Sequence, residues 1–373
     1  MNILIAPDSF KGSLSANQFI DILRNRFIEL GENHNITSSP LADGGEGSLE
    51  VISKNSGFEK KITTVKNPFF KEIEACYLYD KENSTAYIEM AKASGLILID
   101  KPDVMNAGSI GTGLLIKHAL MQGAKKIVLF VGGSATNDAA MGIAVALGIK
   151  FMDNKGKELK PVSKELIHVI NIDNSSSLLK KHPTQILIAA DVNNPFYGKN
   201  GAAYIYAPQK GATPENVVFL DKGLQNMADI FKKNFNIDVQ KINGSGAAGG
   251  IAGGMIAMFG AKLVSGADLI FELNNIEKKI KQVDLVITGE GKIDNQTLNN
   301  KLIFKLSQLV ANHNKTVWAV CGYYDGDSKL RKLLGIEKIF SLAKSKSEIN
   351  QAIKNAENKL SEIVEDISKE LKK

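Results

Sequence analysis

Residues 2–47 read NILIAPDSFKGSLSANQFIDILRNRFIELGENHNITSSPLADGGEG, and they contain the pattern of a strand, a helix and a second strand. The apolar run Asn2–Ala6 predicts a buried strand. Ser15 and Gln18 have the spacing of a helix capping box, and apolar residues follow them at helical intervals. A second apolar run ends at Leu41. This beginning predicts an α/β fold with parallel strands.

The C-terminal part of the chain resumes the same alternation of strands and helices. Together with the beginning it predicts one doubly wound domain with a parallel sheet. The predicted elements are a helix near Ile276–Val283, a strand at Leu285–Thr288, a helix at Leu298–Ala311, strands at Thr316–Val320 and Lys338–Leu342, and one final helix from Ile349 to Leu371.

The middle of the chain has a different pattern and predicts a second α/β domain inserted into the first. Its first three strands alternate in polarity, which favours antiparallel pairing. We expect the first domain to comprise residues 1–60 and 265–373 and the inserted domain residues 61–264. The predicted elements are strands at Lys60–Val65, Glu74–Tyr79, Thr85–Met90 and Gln185–Ala190, helices near Gly113–Met121, Ala139–Leu147 and Asn216–Phe235, and a flexible connector at Asp173–Lys181.

The composition excludes several classes of function. The 373 residues are 44% hydrophobic and carry a net charge of only +6, without an arginine-rich stripe, so we expect no nucleic-acid binding. Cys76 and Cys321 are far apart in apolar stretches, which indicates buried thiols rather than a disulfide framework or a zinc site. The five histidines form no metal-binding cluster. A strand that begins almost at Met1 leaves no room for a signal peptide, so a cytoplasmic protein without membrane contact is expected.

Several predicted strands end in loops that combine glycine with carboxylates. Asp8 and Ser9 follow the first strand, Asp43–Gly47 follows the second, and Gly289–Asp294 follows the strand at Leu285. Ligands of α/β sheets bind at the carboxyl ends of strands, and glycine lets backbone amides approach a phosphate. Carboxylates at the same place favour a hard cation such as Mg²⁺. The loops predict a site for phosphate together with a divalent cation.

Gly132–Asp138 is the best phosphate candidate, because two glycines and two small hydroxyl residues precede a helix expected to start near Asp138. A well-capped helix after a buried strand is the alternative. Lys11 and Lys210 could bind a carboxylate or a phosphate, although a lysine in a loop is often only solvated.

Asp191 and Asn193 follow an apolar run and could hold Mg²⁺, or Asp191 could take a proton from an attacking hydroxyl. An Asx-turn before Pro195 explains them equally well. Thr112 lies between two glycines at the start of a helix, which is a small anion site or a plain helix start.

Gly244–Gly249 matches the dinucleotide fingerprint, follows a possible strand at Asp238–Ile242 and precedes a helical run. The fingerprint normally opens a β–α–β unit, whereas this stretch closes the inserted segment. We therefore favour a phosphate cradle or close helix packing over NAD binding.

These stretches together resemble the bacterial glycerate kinase family, and the resemblance covers essentially the whole chain. The matching segments are residues 5–16, 42–47, 111–113, 132–138, 191–195, 198–203, 207–212, 244–250 and 288–297. Departures from the usual family pattern are Ala139, Ala140, Ile110, Lys292, the stretch 300–303 and the stretch 321–325.

The resemblance implies a flavodoxin-like domain with an inserted second domain and an active site in the cleft between them. It also implies transfer of the γ-phosphoryl group of ATP to D-glycerate with Mg²⁺, giving 2-phosphoglycerate or 3-phosphoglycerate, and a homodimer is possible. Asp191 or Asp8 is the expected base, and Lys11 is expected to bind the glycerate carboxylate. Substrate or phosphate contacts are expected from Ser9, Lys11, Thr112, Gly132, Gly133, Ser134, Thr136, Asn137, Asn193, Lys210, Gly246 and Gly249, and metal contacts from Asp43, Glu46, Glu290 and Asp294.

Two other functions remain open at this point. A nicotinamide-dependent 2-hydroxy-acid dehydrogenase would use Gly244–Gly249, and a small-anion binding protein would use two domains without catalysis.

Overall fold

The computed structural model describes residues 1–10, 12–298 and 301–373. It confirms an α/β fold with parallel sheets. The strands are β1 (Asn2–Ile5), β2 (Asn35–Ser38), β3 (Glu59–Lys66), β4 (Glu72–Asp80), β5 (Thr85–Glu89), β6 (Lys126–Phe130), β7 (Lys150–Met152), β8 (Asn171–Asp173), β9 (Gln185–Ala189), β10 (Lys262–Val264), β11 (Leu285–Ile293), β12 (Thr316–Tyr324) and β13 (Lys338–Ala343).

Helices connect most of these strands. They are α1 (Ala16–Glu29), α2 (Ser48–Ser56), α3 (Ala91–Ser94), α4 (Ile110–Met121), α5 (Met141–Ala146), α6 (Leu178–Lys181), α7 (Ala202–Tyr206), α8 (Pro214–Phe235), α9 (Ala247–Phe259), α10 (Gly266–Leu273), α11 (Ile276–Lys281), α12 (Leu302–Asn312), α13 (Ser328–Leu333), α14 (Ile349–Lys354) and α15 (Ala356–Leu371).

The chain forms two compact units. Unit 1 comprises Met1–Asp43, Lys54–Ser56 and Ala267–Lys373, and unit 2 comprises Gly44–Ser53 and Gly57–Gly266. Helix α2 therefore contributes residues to both units, with its first turns in unit 2. No helix among residues 1–10, 12–298 and 301–373 is long and apolar enough to span a bilayer.

Unit 1 is built on a parallel sheet in the order β13-β12-β11-β1-β2. This order is that of a flavodoxin-like sheet, in which the strand order reverses at the first strand, here between β1 and β11. The capping box predicted at Ser15 and Gln18 is present at the start of α1. Helices α1 and α15 bury Phe19, Leu23 and Leu360 against one face of the sheet.

Unit 2 is built on a mixed sheet in the order β10-β9-β6-β5-β4-β3. The pairs β3–β4 and β4–β5 are antiparallel, as the alternating polarity of these strands predicts. The remaining pairs are parallel. The core lies between this sheet and helices such as α4 and α8, and its large buried side chains include Tyr77, Phe196 and Phe231.

Four local predictions from the sequence are wrong. The expected strand at Asp238–Ile242 is a 3-10 turn at Val239–Lys241. The helix expected to start near Asp138 begins at Met141, because Ala139 and Ala140 have φ values of 50° and 63°. The expected connector at Asp173–Lys181 contains α6. The final helix is interrupted at Asn355, since the apolar spacing alone does not register the break between α14 and α15.

Candidate functional site

Unit 1 contains a cavity of about 360 Å³ at the carboxyl ends of its parallel strands. Asp8 and Ser9 line it after β1, and Glu290 and Lys292 line it from the second half of β11. Since the strand order reverses between β1 and β11, the cavity occupies the place where doubly wound sheets bind their ligands. The sheet topology thus brings residues of all three predicted loops to one site.

Glu290 is a buried acid of this cavity. Its side chain is only 9% exposed, and its Oε1 accepts a hydrogen bond of 3.3 Å from the Thr297 hydroxyl. Burial raises the pKa of the Glu290 carboxyl to about 7, and the negative charges of Asp294 and Asp43 act in the same direction, while Lys301 opposes them. A carboxyl with a pKa near neutrality in a cavity is typical of a site that handles protons or cations.

The other polar residues of the cavity carry charges of both signs. Asp8 accepts a hydrogen bond of 2.7 Å from the backbone N–H of Ser9. Lys292 donates to Asp294 at 2.8 Å and lies 3.5 Å from Asp325, which raises the pKa of the Lys292 ammonium. Two lysines, at 292 and 301, therefore share this cavity with three carboxylates, at 8, 43 and 290. Lys11, predicted to bind a carboxylate, lies outside the described residues.

The four predicted metal ligands differ in their surroundings. Outside residues 11, 299 and 300, no group of three or more His, Cys, Asp or Glu side chains is arranged to hold a metal ion by itself. Mg²⁺, however, is commonly held by one or two carboxylates together with substrate phosphates and water. Asp43 and Glu290 line one cavity and influence each other electrostatically, so they fit this mode. Asp294 is engaged by Lys292, and Glu46 belongs to unit 2, where it is exposed.

Unit 2 has its own polar centre around Lys210, which is 2% exposed. The ammonium group donates to the Ser134 hydroxyl at 2.8 Å and to the Thr136 carbonyl at 2.7 Å. Burial lowers the pKa of the Lys210 ammonium to about 7, against the opposing charge of Asp138. A buried cation with two neutral acceptors is poorly compensated and would be stabilised by an anion.

Two residues of the loop that Lys210 contacts support the same interpretation. Thr136 and Asn137 are completely buried. The Thr136 hydroxyl and both polar atoms of the Asn137 side chain have no hydrogen-bond partner in the described part of the chain. Buried polar groups of folded proteins are normally paired, so unpaired ones in adjacent residues indicate a bound ligand or water. The structure thus brings together Ser134, Thr136, Asn137 and Lys210 of the predicted phosphate contacts.

Asp138 holds this loop in place rather than reaching a ligand through its Oδ2 atom. Oδ2 accepts hydrogen bonds from the Ser109 backbone N–H at 2.7 Å, the Ser109 hydroxyl at 2.8 Å and the Gly142 N–H at 3.1 Å. Complete burial nevertheless raises the pKa of this carboxyl. Because α5 begins only at Met141, after two left-handed residues, no helix begins at Asp138, where the sequence predicted one as part of an anion site.

The backbones at Gly132 and Gly45 approach each other closely. A Cβ atom on Gly132 would lie 2.4 Å from the Cα atom of Gly45, so glycine is needed at position 132 for this close approach. The predicted loops at Asp43–Gly47 and Gly132–Gly133 are therefore packed together where they belong to unit 2.

Glu89 was missed by the sequence analysis. It ends β5, is completely buried, and accepts hydrogen bonds of 3.2 Å from the backbone N–H groups of Gly47 and Leu49 at the beginning of α2. Burial raises the pKa of the Glu89 carboxyl, and the positive charge of Lys92 opposes the shift. A glutamate inside the apolar run Ala86–Met90 is the sequence signal that could have revealed it.

Thr112, Asp191 and Asn193 are three further predicted contacts. The Thr112 hydroxyl donates to the Ser94 hydroxyl at 2.8 Å inside unit 2, which favours a structural role. Asp191 is half-buried just after β9, and Asn193 is exposed. Their roles stay predictions.

The glycine-rich stretch at Gly244–Gly249 packs against backbone. A Cβ atom on Gly249 would lie 2.2 Å from the Thr136 carbonyl oxygen, and one on Gly246 would lie 2.2 Å from the Pro195 carbonyl oxygen. Close packing therefore accounts for both glycines, and their assignment to phosphate binding stays a prediction. Since a 3-10 turn precedes the stretch instead of a strand, the context of a dinucleotide fingerprint is absent.

Residues 3–372 match the model of the Glycerate kinase family. Over 358 residues the chain is 37% identical to the glycerate 2-kinase of Escherichia coli (strain K12), covering 95% of this chain and 94% of that protein. It is 33% identical over 376 residues to the glycerate kinase of Bacillus subtilis (strain 168), covering 100% and 98%. A crystal structure from Salmonella typhimurium LT2, described as glycerate kinase 2, is similar with a TM-score of 0.81 at 34% identity, covering 100% of this chain and 98% of that one.

Proposed function

Because the chain belongs to the glycerate kinase family, we propose that it transfers the γ-phosphoryl group of ATP to the 2-hydroxyl of D-glycerate, giving 2-phosphoglycerate and ADP, with Mg²⁺ as cofactor. Membership in this family makes the chain an enzyme and a kinase, and the resemblance inferred from the sequence is confirmed. The name of the Escherichia coli relative, glycerate 2-kinase, supports phosphorylation at the 2-position.

The observation that carries the proposal is the composition of the unit 1 cavity. Asp8, Asp43 and Glu290 line it together with Lys292 and Lys301 at the strand ends where α/β enzymes bind phosphorylated ligands. A polyphosphate next to these carboxylates would be repelled without a cation. Asp43 and Glu290 are therefore the residues proposed to hold Mg²⁺, which when bound would neutralise charge on the phosphate oxygens.

The transfer requires a base and a charge clamp. A glycerate hydroxyl oxygen forms a bond to the γ-phosphorus as the bond from that phosphorus to the β-phosphate oxygen breaks, and ADP leaves with the electron pair. The hydroxyl proton passes to a carboxylate, for which Asp8 and Asp191 are the proposed candidates. Lys292 and Lys301 are proposed to stabilise phosphate charge.

The polar centre of unit 2 is proposed to bind a negatively charged group of one of the substrates. Its support is the buried ammonium of Lys210 with only neutral hydrogen-bond partners and the unpaired side chains of Thr136 and Asn137. A phosphate oxygen or carboxylate would satisfy both needs at once.

The test is incubation with ATP, Mg²⁺ and D-glycerate, followed by phosphorus NMR. We expect a new phosphomonoester signal that grows with ADP, with the proton coupling of a phosphate on the secondary carbon. Asp8→Asn and Asp191→Asn separate the two candidate bases, because loss of a general base costs about 10²–10⁴ in kcat. Asp366→Asn, on the exposed side of α15, is the matched control. Intact ATP in the presence of folded protein and glycerate would refute the proposal.

A further inference from the structure

The unit 1 cavity has a second, apolar side that the acceptor substrate does not explain. This apolar wall consists of the side chains of Phe10, Tyr323, Leu342, Ile349, Ala352 and Ile353. The charged residues at 8, 43, 290, 292 and 301 line the same cavity, so charged and apolar side chains border one space.

D-glycerate is a poor occupant of the apolar wall. Each of its three carbons carries an oxygen, so contact with these side chains would remove water from polar groups without replacing their hydrogen bonds. A volume of about 360 Å³ also exceeds what so small an acid needs, although it lies within the usual range for nucleotide-sized ligands.

The wall is rigid on one side and open on the other. Phe10 is 3% exposed and stacks on Phe19 at a centroid distance of 5.4 Å, which fixes the ring. Tyr323, near the end of β12, and Ile349, at the start of α14, are half-buried, and Ile353 is 43% exposed. Phe10, Leu342 and Ala352 belong to the hydrophobic core of unit 1. The partly exposed side chains of Tyr323, Ile349 and Ile353 complete a wall that is suited to a flat apolar ligand.

We propose that the apolar wall of Phe10, Tyr323, Leu342, Ile349, Ala352 and Ile353 binds the nucleobase of the phosphoryl donor, with the phosphate chain directed toward the charged residues that line the same cavity. This inference rests on the proposed kinase function and names the donor subsite of that enzyme. A nucleobase offers two π faces for Tyr323 and the aliphatic side chains, and its phosphates need the cations at 292 and 301. A nucleotide therefore matches both kinds of residue that line this cavity.

The proposal is tested by equilibrium binding of ADP and of inorganic tripolyphosphate, each with Mg²⁺ and without glycerate, by titration calorimetry. Tyr323→Ala and Ile349→Ala are expected to weaken ADP binding by about tenfold or more, because base stacking on a side chain contributes at this level. The affinity of these variants for tripolyphosphate should stay within about twofold of that of the natural protein, since the charged residues of the cavity are unchanged. Tyr323→Phe should retain ADP affinity, because the ring rather than the hydroxyl makes the contact.

Ile28→Ala, on the exposed side of α1 at 66% exposure, is the matched control and should leave both affinities unchanged. Equal weakening of ADP and tripolyphosphate, or no weakening of either, would overturn the inference. A rise in the KM for glycerate with unchanged ADP affinity would reassign the wall to the acceptor, and a change of oligomeric state in Ile353→Ser would reassign it to a second copy of the chain. ADP binding is measured without phosphoryl transfer, so the two proposals can fail separately. If the natural protein does not phosphorylate D-glycerate but Tyr323→Ala still weakens ADP binding, the glycerate kinase proposal is rejected and the nucleobase site is retained.

Discussion

Lys210 shows how a single residue can be informative once its surroundings are known. In the sequence it is one of many lysines, in a loop where a solvated side chain is the ordinary expectation. In the structure it is 2% exposed and bound to Ser134 and Thr136, which lie 76 and 74 positions earlier in the chain. Burial of an ammonium group is costly, and proteins retain it where a negative charge is to be bound.

This environment predicts that anion binding in unit 2 takes up a proton. The pKa of Lys210 is lowered from 10.5 to about 7, so above pH 7 the ammonium of the ligand-free protein has largely lost its proton, and a bound anion restores it. Affinity for sulfate or D-glycerate should therefore fall as pH rises from about 7.5 to 8.5, by up to about tenfold per pH unit if one proton is taken up. Calorimetry in buffers of different ionisation enthalpy measures the proton directly.

The matched variants separate Lys210 from general electrostatics. Lys210→Met fills a similar volume and should remove both the proton uptake and the pH slope, whereas Lys199→Met, at an exposed position of the same unit, should keep them. A pH-independent affinity for both anions in the natural protein would contradict the predicted proton uptake.

The same lowered pKa of Lys210 has a consequence for folding. Between pH 7 and 10.5 the unfolded chain holds a proton that the native chain lacks, so this residue makes the native state more stable as pH rises through that window.

At the scale of secondary structure, the beginning of α2 depends on a side chain from another element. Gly47, the residue before α2, is left-handed with φ of 91° and offers no side-chain cap. Glu89 at the end of β5 accepts hydrogen bonds from Gly47 and Leu49 in its place. A carboxylate at a helix N-terminus also interacts favourably with the helix dipole. The position of residues 44–47 in unit 2 is thus fixed by β5.

Glu89→Gln is expected to lower the free energy of unfolding by about 1–3 kcal/mol, because one buried N–H group loses its acceptor. Urea unfolding followed by circular dichroism measures the change. Glu50→Gln, exposed in the first turn of the same helix, should alter it by no more than about 0.5 kcal/mol. An equal effect of the two substitutions would show that Glu89 does not hold the helix terminus.

At the scale of the whole molecule, each unit has a hydrophobic core of its own. The core of unit 2 runs from Val65 to Ala261 in one nearly continuous stretch of chain. That of unit 1 combines side chains from the beginning and the end of the sequence, such as Ile3 and Leu360. A compact region with its own core is able to fold alone.

We therefore expect a fragment of residues 44–266 to fold independently. Its thermal unfolding, followed by near-ultraviolet circular dichroism, should be a single cooperative transition, and Phe231→Ala in the fragment should cost about 3–5 kcal/mol of stability as in other buried aromatic truncations. A fragment with helical far-ultraviolet signal, no cooperative transition and strong dye binding would contradict the prediction, since these are the marks of a molten globule.

Particular elements show how far the sequence could be used. The strands β1 and β11 and the antiparallel strands β3–β5 follow from apolar periodicity, because burial on one or both faces of a strand dictates side-chain polarity. The start of α5 and the break at Asn355 were not predicted, since they depend on backbone conformations that no periodicity records. The residue types at Gly132–Asn137 predict a phosphate loop. They do not indicate that Lys210 lies against this loop, or that Glu89 is buried at the beginning of α2.

The sequence by itself determined the α/β class, the parallel order of strand and helix in unit 1, and which loops carry glycine with carboxylates. These properties are local: they depend on the period of apolar residues and on the chemistry available at a strand end. Only the tertiary structure decided that Lys210 lies against Ser134, that Glu89 holds α2, and that charged and apolar side chains line one cavity in unit 1. Such pairings join residues far apart in the chain, and their energies arise from desolvation and packing, which exist only after the elements have come together.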